Sequence, residues 1–342
     1  MDVKFASSPP SGWNDFVKNH PHGKIYHLVE WGEIIQKTFG HTPFFVFIKN
    51  NEMLDGVMPL IKFNSPVFGK FAVSMPFVNY GGILFNQVNE FQDVVNFLSE
   101  FQKREKMKFI EIRYDSRFDV ELPYKQHKVT FMLDLPSDED QLWKSFKSKT
   151  RSQIRRPLKE NMYARTGGIE LLDLFYQVFA HNMRDLGTPV YPKKFFKNIL
   201  NTFPDDAFLV VVFSKDDIPT ASSFLLKFKD TMEIPWASSI RKYNRFSPNM
   251  LLYWESLKLA IQQGLTIFDF GRCTPGSGTY RFKKQWGGIE HPLYWYYVMP
   301  ENDSLPELNP ENKKYKLAIQ LWKKLPLSLA NIIGPQLIKN IP

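Results

Sequence analysis

A cationic-aromatic run late in the chain, Tyr280, Arg281, Phe282, Lys283, Lys284 and Trp286, has the residue types needed to meet an anion or a developing oxyanion. It closes the stretch TIFDFGRCTPGSGTYRFKKQW, Thr266 to Trp286. There a short apolar strand, Thr266 to Phe270, ends in Gly271-Arg272, and a loop with Gly276 and Gly278 at its centre follows. Glycine permits strained turns and close backbone approach. Fixed cations beside backbone N–H groups suit a phosphate, a carboxylate or an oxyanion. The same pattern also describes an ordinary strand-loop-strand connection with a solvated basic rim. The one acid within this stretch is Asp269, a base or a loop anchor, and Cys273 has no visible base to activate it.

Other cations cluster upstream. Between Gln141 and Arg165 there are eight Lys/Arg against one acid, Glu160, a balance of +7 in a chain whose net charge is +9. Such a segment expects an anionic partner: a phosphorylated small molecule, RNA or an anionic lipid surface. Ser137, with Asp138 and Glu139 behind it, reads as a helix start. Lys144, Lys147, Arg151 and Arg155 recur at spacings of three and four, so a continuous helix puts them on one face until Pro157 kinks or ends it. A solvated face is the plainer alternative. Ser247 reads as an N-cap with Pro248 at the first helical position, which turns that helix start toward Arg241, Lys242 and Arg245. A third cluster, His181, Arg184 and Asp185, ends a helix before a Gly/Pro turn and faces either a cleft or only its own helix end. Tyr80 precedes Gly81-Gly82, where backbone approaches something closely. Histidine and carboxylate spacings give no metal site.

These groups need a scaffold. With 342 residues, 43% of them hydrophobic and 15% aromatic, the chain exceeds what one core usually supports, and two domains are expected. One cysteine excludes an intramolecular disulfide framework and fits a reducing cytoplasm. The first residues lack the pattern of a secretory signal, and no apolar span approaches 18 residues, so neither export nor a transmembrane helix is expected. Helices over 13–38 lead to a hairpin of Phe44–Ile48 and Leu54–Phe63, a strand Phe68–Met75, a helix Gln87–Lys106, and strands Phe109–Tyr114 and Val129–Leu133. After Gly168 the order repeats: helices Ile169–Arg184 and Pro192–Phe203, a hairpin Ala207–Phe213 with Ile218–Phe228, a strand Thr231–Ser239 and a helix Pro248–Gln263. The polar turn at 214–217 mirrors that at 49–52. An α/β (α+β) class with two copies of one unit follows, divided as 1–136, 137–310 and a C-terminal amphipathic extension over 311–342. That extension lies on a membrane surface, packs on the body of the protein, or joins a second subunit.

The segments QLWKSFKSKTRSQIRRPLKEN, FAHNMRDLGTP and FDFGRCTPGSGTYRFKKQWGG, with the ending GPQLIKNIP, resemble the FemA/FemB-related group of the GNAT acyltransferase superfamily. More narrowly, they are similar to FemAB-like proteins associated with exosortase/PEP-CTERM exopolysaccharide systems. The resemblance implies two tandem GNAT-like domains, each a mixed sheet flanked by helices, around a shared cleft. It implies acyl or aminoacyl transfer to an amine of a peptidoglycan, cell-envelope or exopolysaccharide precursor. It implies no tightly bound cofactor, and a donor that is either acyl-CoA or aminoacyl-tRNA. The chain lacks room for the coiled-coil arm of some tRNA-using members and lacks the Gly-rich pyrophosphate loop of ordinary CoA-binding members. The family's Phe-Lys pair falls on Phe282-Lys283, which makes Lys283 the catalytic candidate, with Asp269 beside it. Tyr280, Phe282, Arg281 and Arg272 then contact the donor, while Arg241, Arg245, Arg151 and Arg155 hold anionic parts of donor and acceptor. His181, Arg184, Asp185 and Tyr80 complete the expected substrate contacts. The enzyme is expected in the cytoplasm, with the inner membrane face as a second place of action. The contrasting expectation is a non-catalytic RNA- or membrane-binding protein that keeps the fold.

Overall fold

The computed structural model describes residues 2–51, 53–66, 68–86, 90–301, 303–306 and 313–341. Two compact units divide the chain: Met1–Lys128 with Pro292–Leu308 and Lys339–Pro342, and Val129–His291 with Asn309–Ile338.

In the first unit the elements run β1 (Asp2–Ala6), α1 (Trp13–Asn19), α2 (Val29–Phe39), β2 (Thr42–Asn50), β3 (Met53–Ser65), β4 (Gly69–Val73), β5 (Leu84–Phe85), α3 (Glu90–Glu105) and β6 (Ile110–Tyr114). β7 (Tyr124–Asp134) carries the chain onward. The second unit continues with α4 (Glu139–Ser145), α5 (Ser148–Lys159), β8 (Tyr163–Gly167), α6 (Leu172–Leu186), α7 (Lys193–Thr202), β9 (Ala207–Phe213), β10 (Pro219–Phe228), β11 (Thr231–Ser239), α8 (Pro248–Gln262), β12 (Ile267–Asp269) and α9 (Gly278–Lys284). β13 (Ile289–Val298), α10 (Lys313–Lys323) and α11 (Leu327–Ile338) complete the chain.

Strands of the first unit lie in the order β1-β2-β3-β4-β6-β13, with β5 against β3. Only β4 and β6 in this series run parallel. The second unit has β7-β12-β11-β10-β9-β8, with β11 and β12 parallel and the others antiparallel. Both expected hairpins form, and both turn on a left-handed polar residue, Asn51 at φ 45° and Asp217 at φ 60°. Asn and Asp tolerate that conformation through local side-chain hydrogen bonding.

Each unit has its own apolar core. Val46, Ile48, Leu60, Phe91, Leu98 and Ile112 belong to the first, and Phe131, Ile154, Leu225, Leu252, Phe268 and Trp286 to the second.

Several features depart from the expectations above. Strands β1, β5, β8 and β13 were not anticipated. The segment Pro292–Leu308 belongs to the first unit although the sequence order groups it with the second. A buried network explains its place: Glu111 pairs with Arg113 at 2.7 Å and accepts from the Tyr297 hydroxyl at 2.7 Å, while the Arg113 guanidinium lies 4.3 Å from the Trp295 ring centroid. Desolvated ionic groups require such complete pairing. The expected continuous basic helix is instead two, α4 and α5, separated at Phe146-Lys147. Phe146 is extended at ψ 144° and buried against Trp254 and Trp286, so side-chain burial outweighs helical continuity there. Asp138, not Ser137, caps α4 by accepting from the Gln141 N–H at 2.9 Å. Pro157 sits inside α5, which runs only two residues beyond it, so the missing N–H costs a bond near the helix end.

Candidate active site

The cationic-aromatic run is a helix. Ser277 caps α9 by accepting from the Tyr280 N–H at 3.1 Å, and one helical turn then aims Lys283 inward while Arg281 and Lys284 stay exposed. Phe282 and Trp286 pack with Tyr253, whose ring centroid lies 4.9 Å from that of Phe282, so α9 is fixed to the core of its unit. Thr150 of α5 donates to the Gln285 carbonyl at 3.3 Å and holds the far end.

Lys283 is 5% exposed. Its Nζ donates to the carbonyl of Gly271 at 2.7 Å and to that of Arg272 at 3.0 Å. Burial pushes its pKa down to about 8, opposed by the nearby Cys273, Asp269 and Glu233. An ammonium has three N–H donors. Two serve the loop carbonyls, and the third is the one a substrate oxygen could use.

The loop that supplies these carbonyls is rigid. Asp269, 1% exposed, ends β12, and its Oδ1 accepts from the Thr130 hydroxyl on β7 and from the Gly271 N–H at 2.8 Å. Cys273 exchanges two backbone hydrogen bonds with Val129, at 2.8 and 3.0 Å. Gly271 turns at φ 67°, and a Cβ there would stand 2.6 Å from the Ile234 carbonyl oxygen. Gly271→Ala therefore costs about 2 kcal/mol or more, from left-handed strain plus the clash. Denaturant unfolding measures this as a lower midpoint with unchanged slope.

The chain is similar to known proteins. The family described as an acetyltransferase (GNAT) domain matches residues 145–284, which contain α5, α9 and Lys283. The lipid II:glycine glycyltransferase of Staphylococcus epidermidis is 21% identical across 80% of this chain and 86% of its own length. The crystal structure of FemX superposes with a TM-score of 0.67 at 16% identity, covering 94% of this chain and all of that one. Residues 145–284 are thus similar to a GNAT acetyltransferase domain, and the chain as a whole shares the fold of FemX. A tandem GNAT protein from the clavulanic acid biosynthesis pathway shares the fold at a TM-score of 0.54 and 7% identity, over 88% of this chain and all of that one. The tandem GNAT architecture expected from the sequence is thus present.

Asp269, Arg272, Tyr280, Phe282 and Lys283 share one strand, loop and helix. The Tyr280 hydroxyl donates to Glu290 at 2.6 Å, a bond that raises its pKa, and its ring packs on Phe131. Arg281 is exposed and donates to the Gly276 carbonyl at 2.9 Å. Arg272 is half-buried. The basic residues of α5 have local partners: Arg151 donates to the Lys144 carbonyl at 3.3 Å, and Arg155 covers the Trp143 ring at 5.0 Å.

Arg241 and Arg245 are exposed on a 3-10 turn, Arg241–Phe246, ahead of α8, and Arg245 lies over Phe246 at 4.6 Å. Ser247 occupies the cap position of α8, but at φ 59° its side chain makes no cap hydrogen bond.

On α6, Arg184 and Asp185 satisfy each other, while the buried His181 Nδ1 makes no hydrogen bond among the described residues. His181 Nδ1 lies 3.3 Å from Asp185, and Arg184 donates to Asp185 at 2.7 Å and to the Leu325 carbonyl at 3.0 Å. Arg184 thus fastens the turn between α10 and α11.

Tyr80 lies in the first unit, on the wall of a cavity of about 370 Å³ that also includes His20, Lys24, Tyr114 and Asp115. Lys24 Nζ is 3.9 Å from Asp115 and 5.3 Å from the Tyr80 ring centroid. The close approach at Gly81-Gly82 is to protein: a Cβ on Gly82 would stand 2.6 Å from the Tyr114 ring. His27 locks this turn by donating from Nε2 to the Gly82 carbonyl at 2.8 Å, and burial pushes its pKa down to about 4.

One contributor was missed. Glu233 on β11 is buried, aligns with Asp269 in the parallel ladder and helps hold the Lys283 charge. Its signal was a lone acid in the otherwise uncharged strand TMEIPWASS.

Proposed function

We propose that this chain transfers an aminoacyl group from aminoacyl-tRNA to an amine of a cell-envelope or exopolysaccharide precursor, with Lys283 as the catalytic group. The observation that carries the reading is a buried ammonium whose two loop contacts leave one N–H for a substrate oxygen. The glycyltransferase relative supports an aminoacyl donor and an envelope acceptor.

Attack of the acceptor amine on the donor ester forms the C–N bond and places negative charge on the former carbonyl oxygen. The Lys283 ammonium stabilises that charge in a site with little competing water. Collapse breaks the ester C–O bond, and the proton lost by the amine ends on the leaving ribose oxygen. No protein base is required for this balance. Asp269 and Glu233 keep the ammonium charged and in place. The cations of α4 and α5, with Arg272 and Arg281, attract the donor's phosphates. The transfer takes place in the cytoplasm.

Mass spectrometry of amine-bearing envelope precursors, incubated separately with charged tRNA and with acyl-CoA, tests this. An aminoacyl mass increment with charged tRNA alone is expected. An acyl increment from acyl-CoA alone reassigns the donor. No increment with either, together with RNA binding that weakens steeply with salt, makes the chain a binding protein.

A further inference from the structure

The two C-terminal helices have inner faces that are built into the second unit and outer faces that are apolar and open. Both pack on α6. At Gly187, which ends α6 at φ 81°, a Cβ would stand 2.5 Å from Ile319 of α10. At Gly334 of α11 a Cβ would stand 2.8 Å from the Val190 N–H nitrogen. Ala330, Gly334 and Ile338 are buried at a spacing of four, and Arg184 ties down the turn at Leu325. The helices are therefore docked elements, not loose arms.

Their outward residues are the opposite of a solvated face. Leu317 and Leu321 on α10 are 59% and 60% exposed, and Ile332 on α11 is 69% exposed. Leu329, Ile333 and Leu337 follow at helical spacing and are also exposed. Large apolar side chains grouped in this way mark an interaction surface. Charge decides the occupant. Residues 313–342 contain six lysines (Lys313, Lys314, Lys316, Lys323, Lys324 and Lys339) and no acid, and Lys323 and Lys324 are exposed between the two helices. A twofold contact with a second copy would set this lysine set against itself, which like-charge repulsion opposes. Neither helix spans: α10 has 11 residues and α11 has 12, where about 20 are needed.

We infer that α10 and α11 form a docking face for an anionic lipid bilayer, with Leu317, Leu321, Ile332 and Ile333 entering the headgroup region and Lys323 and Lys324 meeting lipid phosphates. Apolar insertion and lysine attraction add at such a face. The inference stands apart from the transfer chemistry, and its test reads binding alone.

Cosedimentation of the full chain with vesicles of pure phosphatidylcholine, and with vesicles about one-third phosphatidylglycerol, is the experiment. Binding to the anionic vesicles at least about tenfold tighter than to neutral ones is expected. Ile332→Asp weakens it at least about tenfold through lost apolar insertion. The pair Lys323→Gln and Lys324→Gln weakens anionic binding about tenfold without changing neutral binding. All of these positions are exposed, so unchanged thermal unfolding shows that the fold survives. Absence of vesicle binding overturns the inference, as does binding that Ile332→Asp leaves intact. A dimer in sedimentation velocity that Ile332→Asp dissociates, without lipid binding, assigns the face to a second copy instead.

Discussion

Lys283→Ala lowers turnover at least about tenfold, equivalent to about 1.4 kcal/mol of barrier, while leaving donor affinity unchanged. The asymmetry follows from what the side chain touches. Lys283 is bound to two loop carbonyls inside the protein, so its remaining N–H acts when charge develops on the substrate oxygen and contributes little to ground-state binding. Single-turnover rates with bound donor, set beside equilibrium donor binding, separate the two effects. Loss of affinity with unchanged rate would make Lys283 a binding residue only.

The same lysine sets a pH signature in stability. Its folded pKa of about 8 lies below the ordinary value of 10.5. Between these two values the unfolded chain binds more protons than the folded one, so this group makes stability rise with pH across the window. Below about 8 both states are charged, and the burial cost is constant at roughly 3 kcal/mol. The stability difference between wild type and Lys283→Met therefore shifts in favour of wild type by up to that amount from pH 8 to 10.5.

Asp269→Ala has the second large effect. It leaves the Thr130 hydroxyl and the Gly271 N–H without their acceptor and removes a negative charge beside the buried ammonium. Removing one partner from a buried charged set costs about 3–5 kcal/mol, which brings a domain of ordinary stability close to unfolding. Asp269→Asn keeps an acceptor at Oδ1 and loses less stability, yet lowers the Lys283 pKa further because the opposing charge is gone. Chemical denaturation of both variants checks the ranking. Equal losses would show that charge, and not the two hydrogen bonds, is what Asp269 supplies.

Local pattern was enough to find the two hairpins and the α6 and α8 helices, because each rests on neighbours in sequence, whereas Lys283 was singled out by the family resemblance. The packing of Lys283 was not legible. Asp269 meets Thr130 across 139 positions, and Thr150 meets Gln285 across 135, and no periodicity links such pairs. The helical state of α9 was obscured by Gly276 and Gly278, although Ser277 ahead of Tyr280 carried the cap signal. Spacing alone also overstated the basic face: burial of Phe146 breaks the helix, and Trp143 covers Arg155. The α6 cluster looked chemical for the reason that made it structural. An arginine and an aspartate at a helix end satisfy one another and the turn at Leu325, with the histidine ring 3.3 Å from the aspartate.

The most direct test of the central claim is the pH profile of single-turnover transfer, in wild type and in Lys283→Ala, with amine acceptor at saturation. The wild-type rate is expected to fall above about pH 8 as the Lys283 ammonium loses its proton, and this limb is absent from the slower variant. A wild-type rate that stays level through that region, or an equal fall in the variant, would contradict a charged Lys283 at the reaction centre.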